Sequence, residues 1–281
     1  MDIGVMMFPT DTAIQPVPLA REAEDRGFGS LWFPEHSHIP ASRATPWGGR
    51  EGAPPLPEEY WRTHDQFVAL AAAAAVTSTI KLATGITLAA QRDPLWLAKE
   101  VASLDLISEG RVIFGIGYGW NKEEMAQHGV AYTERRAKLR EHVLACRAIW
   151  TQDEFSFDGE HVQLEPSWSW PKPVQRPHPP ILLGGDPGPR TLGDITEFCD
   201  GWMPIHGRYD ILGRLGEVQE AWAAAGRDPD ALRWGVFACP PDEEHVTRYV
   251  EAGADHLAFA LPSRGADDIL PRLDKLAALL P

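Results

Sequence analysis

Eight short apolar runs, each followed by a helix-forming stretch, constrain this chain more than any other feature. The runs are Ile3–Phe8, Gly29–Pro34, Ile80–Thr87, Arg111–Gly117, Pro180–Gly185, Asp200–Ile205, Arg233–Cys239 and Asp255–Leu261. Several are apolar nearly throughout, as strands covered on both faces must be. Between them, Val17–Arg26 stops at Gly27, and the alanine-rich segment 65–77 contains no breaker. The segment 94–108 starts on Pro94, suited to a first helical turn, and ends before Gly110; 135–150 is amphipathic. Further helices fit Arg190–Phe198, Ile211–Ala225, Asp242–Glu251 and Asp267–Leu280. Eight βα units in 281 residues is the arithmetic of an α/β chain folded as one (β/α)8 (TIM) barrel domain over 1–281. That architecture typically takes about 250 residues. The rival, a doubly wound open sheet, seldom uses eight regularly spaced strands.

Two segments break the rhythm, one after strand two and one after strand four. Glu35–His64 is a long loop with five prolines, Trp47, Tyr60 and Trp61. Phe155–Pro180 reads as a hairpin turning at Asp158-Gly159, followed by a proline- and tryptophan-rich stretch with Trp168 and Trp170. Loops of this length are usually lids or binding loops. Aromatics on them, with Trp120 at a strand end, suit a planar or apolar ligand. Trp32, Trp96, Trp150 and Trp222 fall on regular elements and read as core or interface packing.

Composition removes several classes of partner. A formal charge of −14 argues against nucleic acid or an anionic membrane surface. No apolar run reaches the ~18 residues of a membrane span. The start, "MDIGVMMFP", lacks the basic and apolar regions of a signal peptide. Cys146, Cys199 and Cys239 are odd in number and far apart, which fits reduced thiols in a cytoplasmic protein better than a disulfide framework.

In such a barrel the active site lies at the carboxyl ends of the strands. Strand two ends there in Glu35-His36, with His38 two residues on. These could be metal ligands, an acid–base pair or a polar loop. A metal site needs further ligands from later strands. His206 is one candidate, but strand five ends in glycines and strand eight without an acid, so no metal is expected. Strand four ends in "GIGYGWN" (Gly115–Asn121) and strand five in "LLGGDPGPR" (Leu182–Arg190). Glycine turns let a backbone approach a ligand, and a turn feeding a helix offers unpaired N–H groups to an anion. Arg190 could add a charge-assisted contact to a phosphate. A ligand-free strand-to-helix turn explains either segment alone. "GIGYGW" is not a dinucleotide fingerprint, because its sixth position is Trp120 and its strand is the fourth.

The ordered set "LWFPEH", "LATGITL", "RVIFGIGYGWNKEE", "PILLGG" and "CDGWMP" resembles the luciferase-like family of flavin-dependent oxidoreductases, and within it the branch that uses the deazaflavin coenzyme F420. The resemblance runs from Asp2 to about Leu261. It implies a barrel holding the flavin or deazaflavin ring in its mouth, against a non-prolyl cis peptide at Gly85-Ile86 after Thr84. It implies that Gly117, Gly119, Trp120 and Asn121 approach the ring and its ribityl chain. Gly184, Gly185 and Arg190 would approach the phosphate. Glu35-His36 matches an acid–histidine pair beside the ring, with His36 as acid/base and Glu35 orienting it or bonding to the ring system. Trp120 stands where some relatives carry an acid, so their sugar-phosphate chemistry does not carry over. The function implied is hydride transfer between F420 and a small organic substrate. The alternatives are an FMN-dependent monooxygenase on the same fold, a metal hydrolase, and a non-catalytic flavin-binding protein. A polyglutamate coenzyme tail would favour a basic rim, for which Arg92, Arg190, Arg208 and Arg214 are candidates. Relatives are commonly homodimers packed through helices beside the barrel.

Overall fold

The computed structural model describes residues 1–280. Ten strands run in chain order: β1 (Asp2–Met6), β2 (Ser30–Phe33), β3 (Lys81–Thr84), β4 (Val112–Ile116), β5 (Glu154–Asp158), β6 (Gln163–Trp168), β7 (Ile181–Leu183), β8 (Gly201–Trp202), β9 (Arg233–Phe237) and β10 (His256–Ala260). Eight of them close a parallel barrel in the order β1-β10-β9-β8-β7-β4-β3-β2, while β5 and β6 form a separate antiparallel hairpin. The (β/α)8 expectation is met. β8 is the shortest element, because after Trp202 the chain keeps only a bridge from Ile205 to Phe237.

The helices are α1 (Pro16–Asp25), α2 (Glu59–Arg62), α3 (Gln66–Ala74), α4 (Pro94–Ile107), α5 (Lys122–Gln127), α6 (Arg135–Thr151), α7 (Pro189–Phe198), α8 (Ile211–Ala224), α9 (Glu243–Glu251) and α10 (Ala266–Ala277). Capping explains where several begin. Asp65, Asp93, Asn121, Asp210 and Asp242 each accept a backbone N–H from the first turn that follows. Short α2 and α5 carry no periodicity long enough to read in sequence.

Side chains alternate between two cores. Leu31 and Phe33 point outward into the layer between barrel and helices. Trp32 points inward, with Ala83, Ile113, Leu182, Met203, Phe237 and Ala258, and this second cluster plugs the barrel. Met6 and Ile86 rest on its upper surface, so the plug is the floor of whatever binds in the mouth. Trp32, Trp150 and Trp222 are buried as expected, but Trp96 is 69% exposed on α4. Among the described residues no helix is long and apolar enough to cross a membrane.

Candidate active site

A cavity of about 410 Å³ occupies the mouth at the carboxyl ends of the strands, within the size range of small-molecule sites. Its floor is Met6, Ile86, Met203 and Phe237, and aromatic rings of Phe8, Trp47, Tyr60 and Trp120 wall one side. The peptide Gly85-Ile86 is cis. Gly85 N–H donates to the Phe33 carbonyl at 2.8 Å, and Thr87 N–H rejoins the ladder on Gly115 at 2.8 Å. The intervening Ile86 side chain is thereby displaced into the mouth. It lies so near Gly117 that a Cβ there would sit 2.4 Å from Ile86 Cδ1, which is why that position is glycine. Gly119 adopts φ 73°, and a side chain there would strike Met125.

His36 is 8% exposed in the cavity wall. Its Nδ1–H donates to Glu124 Oε2 at 2.7 Å, and the other oxygen of Glu124 accepts Ser37 N–H at 3.1 Å. Glu124 is fully buried on α5. Both its oxygens thus hold residues just past the end of β2, and His36 is left with Nε2 unbonded to any described residue. This arrangement fixes the tautomer and aims one ring nitrogen at a ligand, as an acid–base histidine requires. Replacing Glu124 with Gln would leave an amide N–H₂ facing one of the two donors. We expect Glu124→Gln to lower turnover about tenfold while affinity for a ligand of the cavity stays within a few-fold, because the ring loses alignment rather than contact. Separate kcat and Kd measurements check this.

Glu35 has a different task from orienting His36. Its Oε2 accepts Leu88 N–H at 2.6 Å and its Oε1 accepts Arg92 Nε–H at 2.5 Å. Burial pushes the Glu35 carboxyl above its ordinary value, with Arg92 and the Leu88 N–H opposing. Glu35 therefore ties the end of strand two to the segment that follows the cis peptide. Neighbouring Glu123 accepts the N–H groups of Ala44 and Thr45, each at 3.0 Å. Against the cost of desolvation, Thr45 and Ala44 hold the Glu123 carboxyl down at about 2. A carboxylate so depressed keeps its bonds as pH falls until it approaches that value. The long loop is thus pinned to α5 throughout the physiological range.

Nine expected residues meet in the cavity wall: Glu35, His36, Gly85, Ile86, Gly117, Gly119, Trp120, Gly184 and Gly185. Three others do not line it. Thr84 is buried behind the wall, donating to the Gly115 carbonyl at 2.7 Å. Asn121 caps α5 with its Oδ1, and its Nδ2 has no partner. Arg190 is exposed on the first turn of α7. His38 hydrogen-bonds Ser37 and Gln127 outside the cavity. His206 Nδ1 pairs with Tyr249 Oη at 2.9 Å, and no cluster of three or more His, Cys, Asp or Glu side chains among the described residues is placed to hold a metal.

The long segments divide likewise. The first supplies Trp47, Gly48, Gly49 and Tyr60 to the cavity, but not Trp61. The hairpin supplies nothing; Glu141 on α6 accepts the N–H groups of Glu160, His161 and Val162, holding it beside the barrel. Trp168 and Trp170 are 76% and 56% exposed there. The four arginines do not converge. Arg92 is bound to Glu35, Asp65 and Glu100, and Arg214 to Asp186 and Glu217. Of the four, only Arg208 lines the cavity.

Sequence reasoning missed Glu124 for a physical reason. Asn121-x-x-Glu124 has the spacing of a capping box, in which the acid folds back on its own helix. Here Glu124 N–H does meet Asn121 Oδ1, at 3.4 Å, but the carboxylate reaches across to His36.

The cavity suits a flat, largely apolar ligand. Ile86 offers a convex apolar seat, aromatic rings flank it, and backbone at Gly85, Gly117, Gly184 and Gly185 leaves the approach free of side chains. A protein of Mycobacterium tuberculosis without assigned function is 43% identical over 284 residues, spanning 100% of this chain and 99% of its own length. An FMNH2-dependent dimethylsulfone monooxygenase of Pseudomonas putida is 31% identical across 67% of this chain and 52% of its own. An F420-dependent hydroxymycolic acid dehydrogenase of M. tuberculosis is 29% identical across 88% of this chain and 65% of its own. Among solved structures, an F420-dependent secondary alcohol dehydrogenase carrying an F420-acetone adduct superposes with TM-score 0.77 at 19% identity, covering 100% of this chain and 99% of that one. With the luciferase-like monooxygenase family model matching residues 9–265, on a closed barrel whose mouth carries the cis peptide, this chain belongs to the luciferase-like family.

Proposed function

We propose that this protein is an F420-dependent oxidoreductase acting on a small organic substrate. The observation that carries the reading is the buried His36–Glu124 pair in the wall of the cavity. A deazaflavin bound on Ile86 would supply a two-electron hydride carrier. Oxidising a carbinol removes one hydride and one proton. In that reaction His36 Nε2 would take the proton from the substrate hydroxyl and, in the reverse direction, would return it to the carbonyl oxygen. Trp47, Tyr60, Trp120 and Phe237 exclude water and favour a planar or apolar substrate. Glu35 and Arg92 hold the wall in place.

Equilibrium titration of the protein with F420 and, separately, with FMN tests the reading. We expect F420 to bind at least tenfold more tightly, roughly 1.4 kcal/mol, and binding to be followed by F420 reduction with a secondary alcohol among the compounds screened. Tighter binding of FMN would sink the proposal in favour of the monooxygenase.

We further propose a cytoplasmic homodimer, supported by three unpaired buried cysteines and by an apolar outer face. Val68 on α3 and Trp96 on α4 are each 69% exposed, with Leu95 at 42%. Lys99, one turn from Trp96, also holds the Trp170 carbonyl, which extends the face to the chain after β6. Large apolar side chains left exposed on the packed neighbours α3 and α4 are what an interaction surface presents. Light scattering should give twice the chain mass for the natural protein and the single mass for Trp96→Asp; a monomeric natural protein would refute this.

A further inference from the structure

Very little of the charge around the cavity is free. Among the residues that line it, Glu35 is the one carboxylate and Arg208 the one Lys or Arg side chain. Glu35 is committed to Arg92 and to the Leu88 N–H. Arg208 has no carboxylate within salt-bridge distance among the described residues; the groups that act on its charge are Arg50, Tyr60 and Tyr209. The free charge at the lip of the cavity is therefore positive, in a chain whose formal charge is −14.

The fold brings this cation across the mouth. Arg208 belongs to the loop between β8 and α8, which also supplies Met203 to the floor and Ile205 to the wall. Around the closed barrel, β8 stands four places from β2 in either direction, so the loops after the two strands face each other. They meet over the cavity: a Cβ on Gly48 would lie 3.5 Å from Arg208 Nη2. Gly48 and Gly49 have φ of 63° and 70°, a turn bare of side chains that a guanidinium can approach. Arg50 follows in the same turn. Burial and the Arg50 charge both push the Arg208 guanidinium below its ordinary value, with the Tyr60 and Tyr209 hydroxyls opposing. Like charges gathered without an acid between them are unfavourable until an anion joins them. Inward from Arg208, the Tyr60 ring leads to His36 at a centroid distance of 5.1 Å. A ligand lying along Tyr60 has its outer end at Arg208 and its inner end at His36.

Resting on the oxidoreductase reading above, we propose that Arg208, supported by Arg50, selects substrates with a carboxylate remote from the reacting carbon. The apolar body lies along the aromatic wall, the carbinol or carbonyl meets His36, and the acid takes charge-assisted hydrogen bonds from the planar guanidinium. Small hydroxy and oxo acids with an unbranched apolar spacer are the class that fits.

The test is a calorimetric titration with linear methyl-ketone carboxylic acids of increasing chain length, each set against its own methyl ester. It is run on the coenzyme-free protein and again on protein saturated with F420. At the fitting length the acid should bind about tenfold more tightly than its ester, and the difference should shrink at high salt. In Arg208→Met the acid should bind no better than the ester. The ester should bind as it does to the natural protein, which shows that the variant is folded. Arg208→Lys keeps the charge without the fork and should retain part of the preference. F420 affinity of Arg208→Met should stay within a few-fold of the natural value. No acid exceeding its ester in either form of the natural protein overturns the inference and leaves the F420 reading standing. A preference for acids that survives in Arg208→Met overturns it, since the anion is then held elsewhere. A loss of F420 affinity beyond tenfold in that variant also overturns it, giving the cation to the coenzyme. Tighter binding of FMN sinks the F420 reading alone, because the comparison on coenzyme-free protein does not depend on it.

Discussion

His36→Ala should cut turnover by about 10²-fold or more, the usual worth of a positioned acid–base group, while coenzyme affinity changes by a few-fold at most. The asymmetry follows from what His36 touches. The ring packs among Phe8, Tyr60 and Trp120, at centroid distances of 6.5, 5.1 and 5.8 Å, and removing it leaves these aromatics to define the wall. What disappears is the one nitrogen aimed at the cavity with its partner nitrogen already committed. Steady-state rates with a substrate that the natural enzyme turns over, set beside a coenzyme titration of the variant, decide the matter. A loss below tenfold would demote His36 to a residue that shapes the cavity. A large loss of coenzyme affinity with little change in turnover of the bound form would assign it to binding.

The second large effect concerns stability. Arg92 lies among Glu35, Asp65 and Glu100 at 2.5, 2.8 and 2.8 Å, with its guanidinium over the Phe67 ring at 4.8 Å. Arg92→Ala leaves the buried Glu35 carboxylate uncompensated, with the partly exposed Asp65 and Glu100 carboxylates beside it. Breaking a buried ion pair from one side costs about 3 kcal/mol or more, which for a chain of this size is a fall of roughly 6–12 °C in Tm. The pH dependence has a definite sign. Burial already pushes the Glu35 and Glu100 carboxyls above their ordinary values. A carboxylate whose folded pKa is raised costs stability above that pKa, and the cost fades as pH falls through it. The deficit of Arg92→Ala should therefore be largest at neutral and alkaline pH and smaller in mild acid. A companion variant, Arg92→Ala/Glu35→Gln, should recover part of the loss at neutral pH. Thermal unfolding of the three proteins at two pH values measures both effects; a deficit that grew on acidification would contradict this account.

How much of this could be read beforehand depended on the range of the interaction. The barrel was legible because strand burial on both faces leaves a local trace, visible in Ile181–Leu183 or Val112–Ile116. The mouth residues that follow β2, β3, β4 and β7 were legible because each sits at the end of such a run. The same local logic failed for side chains whose partners are distant in sequence. His36 and Glu124 are separated by 88 positions, and nothing near either announces the other. Arg92 looked like a free cation because its three acids come from the strand-two end, the α3 cap and α4. Trp168 and Trp170 were expected at the mouth because long loops often go there; the hairpin instead obeys Glu141, whose grip on residues 160–162 is invisible without the fold.

Glu123 and Glu124 are adjacent, yet they restrain different parts of the same loop, one at Ala44-Thr45 and the other at His36-Ser37. The loop is therefore fastened twice at its root, ahead of the stretch from Pro46 onward in which Trp47, Gly48, Gly49 and Tyr60 line the cavity. On the proposed reading, proton transfer and ligand discrimination are built on separate stretches of chain, divided by a double rivet. Exchanges between Pro46 and Glu59 can then retune which molecules are admitted while His36 keeps its bond to Glu124 and its packing on Tyr60. One chemical apparatus can in this way be refitted to new substrates by changing its door alone.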